Sequence, residues 1–501
     1  MTSTDSSTDS GSGSSTGSDL GYRSATELLA LLDRGAVSAV ELAEAAIARI
    51  ERHDGTLNAV CVRDFDRALA AARAADERRA RGERAPLLGV PMTVKESFHV
   101  AGLPTTWGIP EFADFVPDAD ALAVERVKDA GAVVLGKTNV PLALGDVQTY
   151  NDIYGTTTNP WDPRRTPGGS SGGSAAALAA GYGAVSIGSD IGGSLRTPAH
   201  FCGIHAHKPT LGLLPLRGHT APGMPVVPAE DDLAVIGPMA RSAADLGLLL
   251  DVLAVPDPLG NGAAYRLELP PARHTALADF RVLVVDAHPL VPVAGSVRAA
   301  VEGFADRLAA AGATVARQSP LLPDLAEAGR LFMRLLLSVL GSQFPPKVYE
   351  RARPEAAQLP DDDRSLAAER TRGTVLSHRD WIAADLRRAV VREQWREVFT
   401  EFDVVVHPVT PTPAFPHDHT PVSRRRIDVD GTELAYLDQI AYAGVATLPG
   451  LPATALPVGR SDEGLPIGVQ AIGPAYGDRT TIRFAELVER ELGGFTPPPL
   501  A

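Results

Sequence analysis

A chain of 501 residues with 45% hydrophobic and 22% charged side chains has the composition of an ordinary globular protein. Its formal charge of −14 argues against nucleic-acid or anionic-membrane partners, and no run comes near the roughly 20 large apolar residues that a transmembrane helix needs. Two cysteines, Cys61 and Cys202, read as buried thiols in a reducing cytosol, and no basic or apolar secretion signal precedes Arg23, so the expected location is cytoplasmic.

Residues 1–18, MTSTDSSTDSGSGSSTGS, have nothing to bury and read as a disordered tail. Two capping boxes follow. Ser24 with Glu27 opens a helix ending near Gly35, and Ser38 with Glu41 opens another ending near Gly55. A third helix, rich in Ala and Arg, covers about 64–81. These three form a scaffold that carries no chemistry. From Pro86 the pattern alternates strand and helix, as in an α/β protein. A strand over 86–94 leads into Lys95, a helix covers about 119–130, and a strand covers 132–135. GKTNVPLALGD is then a loop and helix start, and NPWDPRRTPGG is a polar, proline-rich approach to the next segment.

That segment, TPGGSSGGSAAALAAGYGAVSIGSDIGGSLRTP over 166–198, contains two Gly/Ser loops. The first, 168–174, is too rich in glycine for helix or strand, and its backbone is free to pass close to a ligand. A helix over 174–180, closed by Gly181, and a buried strand over 184–188 separate it from the second loop, 189–196. There Gly192, Gly193 and Ser194 can turn successive N–H groups toward one point, as an oxyanion requires. A serine beside such a nest is a candidate nucleophile, but it needs a base. No histidine lies in this segment. Of the 47 basic residues only five are lysine, at positions 95, 128, 137, 208 and 347. A chain that otherwise uses arginine keeps lysine where a proton must be lost, which guanidinium cannot do. Lys95 ends an apolar run, and burial lowers a lysine pKa.

Further along, Ser242 and Asp245 help open a helix. A strand over 280–286, a helix over 296–311 and a strand over 313–317 come next. The stretch 322–400 is mostly helical and charged. A strand over 403–407 precedes two more in TLPGLPATALPVG and PIGVQAIG, and the last helix covers 479–492.

GVPMTVKESF, TPGGSSGGS and GSDIGGSLRTPA, in this order, resemble the amidase signature family of serine amide hydrolases, as do GKTN at 136–139 and FCG with KPT at 201–210. The resemblance covers nearly the whole chain after the first twenty residues. It implies an α/β fold in one large domain (19–501), with a central mixed β-sheet covered by helices on both faces. N-terminal helices (19–85), a catalytic core (86–255), a variable helical cover (256–400) and a C-terminal return to the sheet (401–501) make up that domain. It further implies a Ser–Ser–Lys triad, with Ser194 as nucleophile, Ser170 as relay and Lys95 as base and acid, and a cis bond at Gly169–Ser170. The oxyanion hole is assigned to the N–H groups of Ile191, Gly192, Gly193 and Ser194. Leu144, Gly145 and Ser171 are substrate-binding candidates. The expected partner is a small-molecule amide, with no metal or other cofactor, and a homodimer is common among such enzymes.

Two other activities fit the same residues. One is an ammonia-releasing component of an amidotransferase, although the glutamine-recognition segment of those proteins is not found in the C-terminal half. The other is an acyltransferase that passes the acyl group to an amine. Rival motifs are weaker. Gly168–Gly172 spells G-x-S-x-G, but a nucleophile elbow needs a strand just before it and WDPRRTP cannot supply one. No G-K-[ST] closes the loop as a phosphate site. His205 with His207, near His200, and His417 with His419 have metal-ligand spacing, but they sit beside prolines and read as polar loop histidines. HAHKPT departs here from the family's usual run. Lys137 and Lys208 precede turns and read as structural. Asp190 and Arg196 are expected to brace the nucleophile loop, Ser171 and Ser174 to bond within it, and Trp107 to be core or to narrow the substrate path.

Overall fold

The computed structural model describes residues 20–229 and 231–500, so the tail expected at 1–18 lies outside the described residues. Both capping boxes form. Ser24 and Ser38 each accept the N–H of the glutamate three positions on, opening α1 (Ala25–Asp33) and α2 (Ala39–Leu57). α2 passes Gly55 and stops where Asn58 turns left-handed at φ 51°. After β1 (Val60–Arg63), α3 (Phe65–Ala80) and β2 (Pro91–Lys95) come α4 (Leu122–Asp129) and β3 (Val133–Thr138). A small hairpin, β4 (Tyr150–Asn151) with β5 (Gly155–Thr156), leads to α5 (Gly172–Ala179) and β6 (Val185–Asp190). α6 (Arg196–Cys202), β7 (His205–Lys208), β8 (Val235–Ala240) and α7 (Ala243–Leu253) complete this half.

The second half begins with β9 (Arg281–Val284), α8 (Gly295–Ala310) and β10 (Thr314–Ala316). Four helices follow without a strand: α9 (Leu325–Gly341), α10 (Pro346–Gln358), α11 (Leu366–Thr374) and α12 (His378–Glu401). The chain returns through β11 (Val404–Pro408), a hairpin of β12 (Arg426–Val429) and β13 (Thr432–Ala435), and α13 (Ala441–Thr447). It ends with β14 (Ala453–Arg460), β15 (Pro466–Ile472) and α14 (Asp478–Leu492).

Eleven strands join in one mixed sheet of order β1-β3-β2-β6-β8-β7-β14-β15-β11-β9-β10. β3, β2 and β6 are mutually parallel, as are β10, β9 and β11, while the strands between are antiparallel. Strand side chains alternate between faces, and β11 shows what this does. Val404 and Val406 pack with α8 and α14, whereas Val405 packs with α12 and α13. Helices therefore cover both faces, and this single domain has the expected architecture.

Local departures have physical reasons. α5 starts at Gly172, inside the stretch expected to be loop, because that turn is fully buried and only glycine fits it. A Cβ on Gly173 would lie 2.4 Å from the Asn139 backbone nitrogen. α6 also escaped the sequence reading; its Pro198 sits in the first turn, where no intrahelical donor is lost. β7, read as loop, is a buried strand paired on both sides with β8 and β14. Cys61 and Cys202 are both free thiols, and among the described residues no helix is long and apolar enough to cross a membrane.

Candidate active site

β2 and β6 lie side by side, with Thr93 opposite Ser186 and Val94 opposite Ile187. Their carboxyl ends therefore release Lys95 and the 191–195 loop at the same edge of the sheet, the usual place for a site in parallel β structure. All five residues of β2 are buried, so Lys95 extends from an apolar strand into a closed interior. Its Nζ donates to Ser170 Oγ at 2.7 Å and to Ser189 Oγ at 2.9 Å. Burial brings its pKa down to about 7, against the opposing pull of the Asp190 and Glu96 carboxylates. Near neutral pH this amine is free base in a substantial fraction of molecules, and a serine hydroxyl is within its reach.

The first loop owes its shape to close backbone contacts. A Cβ on Gly169 would stand 2.5 Å from the carbonyl oxygens of both Asp146 and Gln148, so only glycine can occupy that position. The Gly169–Ser170 bond is cis. Ser170 points to Lys95, and Ser171 turns the other way. Ser171 Oγ donates to the Ser189 carbonyl at 3.3 Å and accepts the Ser189 N–H at 3.4 Å, which ties this loop to the end of β6. Ser174 bonds to Thr138 at 2.6 Å.

Ser194 enters the cluster through its backbone, its carbonyl accepting the Ser171 N–H at 3.2 Å, while its hydroxyl makes no hydrogen bond to Ser170. Ile191 and Gly192, just before it in the chain, are half-buried and form the least covered part of the loop. Of the four N–H groups assigned to an oxyanion hole, that of Gly193 is already engaged, donating to Asp190 Oδ1 at 2.9 Å. Those of Ile191, Gly192 and Ser194 have no hydrogen-bond acceptor among the described residues. Gly193 itself sits at φ 99°, a conformation that favours glycine. Asp190 and Arg196 form a fully buried two-pronged pair, as expected of loop braces. Arg196 reaches on to Thr447 Oγ1 at 2.8 Å, Gln470 Oε1 at 2.7 Å and the Ala443 carbonyl at 3.1 Å.

The competing lysines are placed differently. Burial lowers Lys208 to about 7 as well, so basicity alone does not separate it from Lys95. Its Nζ, however, donates to the carbonyls of Pro209 and Leu451 at 3.0 and 2.8 Å, which have no proton to give. Lys137, lowered by burial to about 8, bonds to Thr105 Oγ1 at 2.6 Å and to the Pro104 carbonyl.

One histidine pair needs a correction. His205 and His207 belong to a buried strand and not to a polar loop. His205 Nδ1 bonds to the Arg241 carbonyl at 3.0 Å, and His207 bridges Thr454 Oγ1 at 2.9 Å and Asp478 Oδ1 at 3.1 Å. His419 stacks on Tyr150, its ring 4.0 Å away. Among the described residues no group of three or more His, Cys, Asp or Glu side chains could hold a metal ion.

Leu144 and Gly145 lie in a partly exposed turn in which Leu144 is left-handed at φ 57°. That turn leans on Trp107, whose carbonyl accepts the Ala143 N–H at 2.7 Å. Trp107 is buried and donates its indole N–H to the Ser97 carbonyl at 3.0 Å. The sequence reading missed Ser189, the second acceptor of Lys95. Its position one residue before Asp190, at the end of the strand beside β2, was the available signal.

The Amidase family model matches residues 41–482. A glutamyl-tRNA(Gln) amidotransferase subunit from Chloroflexus aurantiacus is 34% identical over 509 positions, covering 94% of this chain and 97% of that protein. A putative amidase, AmiB2 of Mycobacterium tuberculosis, is 36% identical over 483 positions, covering 94% and 96%. Among solved structures, 6-aminohexanoate cyclic dimer hydrolase complexed with substrate has a TM-score of 0.74 at 27% identity, covering 95% of this chain and 98% of that one.

Proposed function

The chain belongs to the amidase signature family and is an amide hydrolase acting on carbon–nitrogen bonds, and from that premise we propose that it cleaves a linear, non-peptide carboxylic amide through an acyl-enzyme on Ser194. The observation that carries this reading is the contact of 2.7 Å between Lys95 Nζ and Ser170 Oγ, made by an amine whose pKa burial has brought to about 7. Neutral Lys95 takes the Ser170 proton while Ser170 takes that of Ser194, whose Oγ attacks the amide carbonyl. The Ser194–Ser170 link closes when substrate binds, since catalytic hydrogen bonds commonly tighten in the substrate complex. The N–H groups of Ile191, Gly192 and Ser194 receive the oxyanion, each such donor typically worth on the order of 10²–10³ in rate. The proton then returns along the relay to the leaving nitrogen, which cannot depart unprotonated. Water repeats the route to release the carboxylate. The scheme calls on no metal or organic cofactor and suits a cytoplasmic enzyme.

Intact-protein mass spectrometry after exposure to a fluorophosphonate tests the nucleophile. One adduct on the wild type that is absent from Ser194→Ala is expected, whereas labelling that persists and maps to Ser170 removes Ser194 from the role.

A second reading, as the ammonia-releasing component of an amidotransferase, is favoured by the similarity to the Chloroflexus glutamyl-tRNA(Gln) amidotransferase protein. Turnover of simple amides by the chain alone separates the two. Product analysis with added amines distinguishes hydrolysis from acyl transfer.

A further inference from the structure

A cavity of about 690 Å³ lies between the C-terminal half of α12, the 449–451 turn after α13 and the 474–476 turn before α14. That volume suits a small organic ligand. None of Lys95, Ser170, Ser189 or Ser194 lines it, so it is separate from the catalytic centre. Its charged side chains are Arg273, Arg392, Arg396 and Glu393. Three arginines against one glutamate leave +2, in a chain whose total is −14. Arg392 makes one hydrogen bond, from Nε to the Pro449 carbonyl at 3.3 Å, and has no carboxylate partner among the described residues. Arg388, one turn earlier, already holds both Asp232 and Asp385. Both terminal nitrogens of Arg392 are therefore unengaged, on a group that cannot shed its charge and whose fork fits two oxygens of one oxyanion. Arg396 is forked onto Glu393, through Nε at 2.9 Å and through Nη2, in an exposed pair of the kind that contributes little. Arg273 reaches Asp403 at 3.3 Å, but that carboxylate already accepts three N–H groups of Arg281, at 2.9, 3.0 and 3.2 Å. The remaining wall is apolar, with Leu211, Phe399 and Leu451, and the exposed Tyr476 stands beside it. The backbone N–H of Tyr476 donates to Thr210 Oγ1 at 2.9 Å, which fixes the turn that carries the ring.

We propose that this cavity is a binding site for a phosphate monoester carried on an aromatic body. Such a group brings about 1.5 to 2 negative charges near neutral pH, which matches the excess of the lining. A carboxylate would leave one positive charge unbalanced. The phosphate oxygens take the free fork of Arg392, Arg273 and Arg396 add their charge, and the ring lies against Tyr476 and the apolar wall. Glu393 is the ligand's competitor, since it occupies Arg396 and repels a second anion.

Calorimetric titration of the full chain with phenyl phosphate, in buffer free of phosphate, is expected to show one saturable site whose affinity falls as salt is added. Inorganic phosphate should bind more weakly for want of the ring, and benzoate for want of the second charge. Arg392→Gln should weaken phenyl phosphate binding about tenfold or more, the scale of a charge-assisted hydrogen bond, with thermal unfolding unchanged. Glu393→Gln should tighten it, an effect in the opposite direction that general damage to the fold would not produce. Ser194→Ala should bind as the wild type does, which separates this cavity from the catalytic centre. A wild type without saturable binding, binding undiminished in Arg392→Gln, or binding lost in Ser194→Ala overturns the proposal. Benzoate or inorganic phosphate that binds as tightly as phenyl phosphate overturns the assignment to an aromatic phosphate.

Discussion

Arg196 holds Asp190 through Nη2 at 2.8 Å and Nε at 3.0 Å, and the same carboxylate accepts the N–H groups of Gly193 and Leu195 at 2.9 and 3.1 Å. The 191–195 loop is thus folded around one buried anion. Burial pushes the Asp190 carboxyl up, but the Arg196 guanidinium overcomes that and holds it at about 2. Removing one partner leaves the other as an uncompensated buried charge. Arg196→Met should therefore destabilise the fold by about 3–5 kcal/mol and disorder the oxyanion loop. Urea midpoints and turnover measured side by side check this, and a variant with wild-type stability and rate contradicts the bracing role.

Lys95 should set the acidic limb of the pH–rate profile. With a pKa near 7, its free-base fraction grows as pH rises, so kcat/KM should climb through roughly pH 6–8 and then level off. Lys95→Ala and Lys95→Arg should both lose turnover, arginine because it keeps its proton. Stability moves with the same group. Between about pH 7 and 10.4 the unfolded chain binds a proton that the folded chain does not, so this lysine makes stability rise with pH across that window. A flat kcat/KM profile across neutrality, or an active Lys95→Arg, points to another base.

Ser189 is expected to position Lys95 without touching substrate. Ser189→Ala removes an acceptor 2.9 Å from Nζ and should lower kcat roughly tenfold, the scale of one hydrogen bond, with KM little changed. The distinguishing readout is the midpoint of the acidic limb, which should move, and Ser189→Thr should restore it. A rate loss with an unshifted profile indicates a merely structural serine.

His207 should matter to stability and not to metal content. Both ring nitrogens already have partners in Thr454 and Asp478, and the Asp478 carboxylate also accepts from the backbone N–H and the hydroxyl of Thr210. His207→Leu leaves a buried carboxylate short of a partner and should cost about 1–3 kcal/mol. Chelator treatment of the wild type should leave turnover intact. Loss of activity on chelation, restored by added metal, overturns this assignment.

The sequence exposed most where one residue type had to do one thing. Glutamates three positions after Ser24 and Ser38 mark two helix starts to within a residue, and the scarcity of lysine narrows the candidate base to five positions, of which Lys95 ends an apolar run. It exposed least where distant segments decide. HAHK looks polar in isolation and becomes a buried strand only because β8 and β14 pair on either side of it. GGSSGG looks like pure loop, yet its last two glycines open the first turn of α5, since the Asn139 backbone leaves room at Gly173 for nothing larger than glycine. The engagement of Gly193 by Asp190 was equally invisible, because an N–H group's partner depends on the direction in which a loop turns.

The anchorage of Arg196 has a consequence for how the fold assembles. Lys95, Ser170 and Ser194 all lie within the first 194 residues, yet the contacts that anchor Arg196 beside them come from Ala443, Thr447 and Gln470, which lie 247, 251 and 274 positions beyond it. A chain without β15 keeps Lys95, Ser170 and Ser194 but lacks Gln470, one of the partners of Arg196. The 191–195 loop thus takes its shape only once segments far apart in the sequence have packed together.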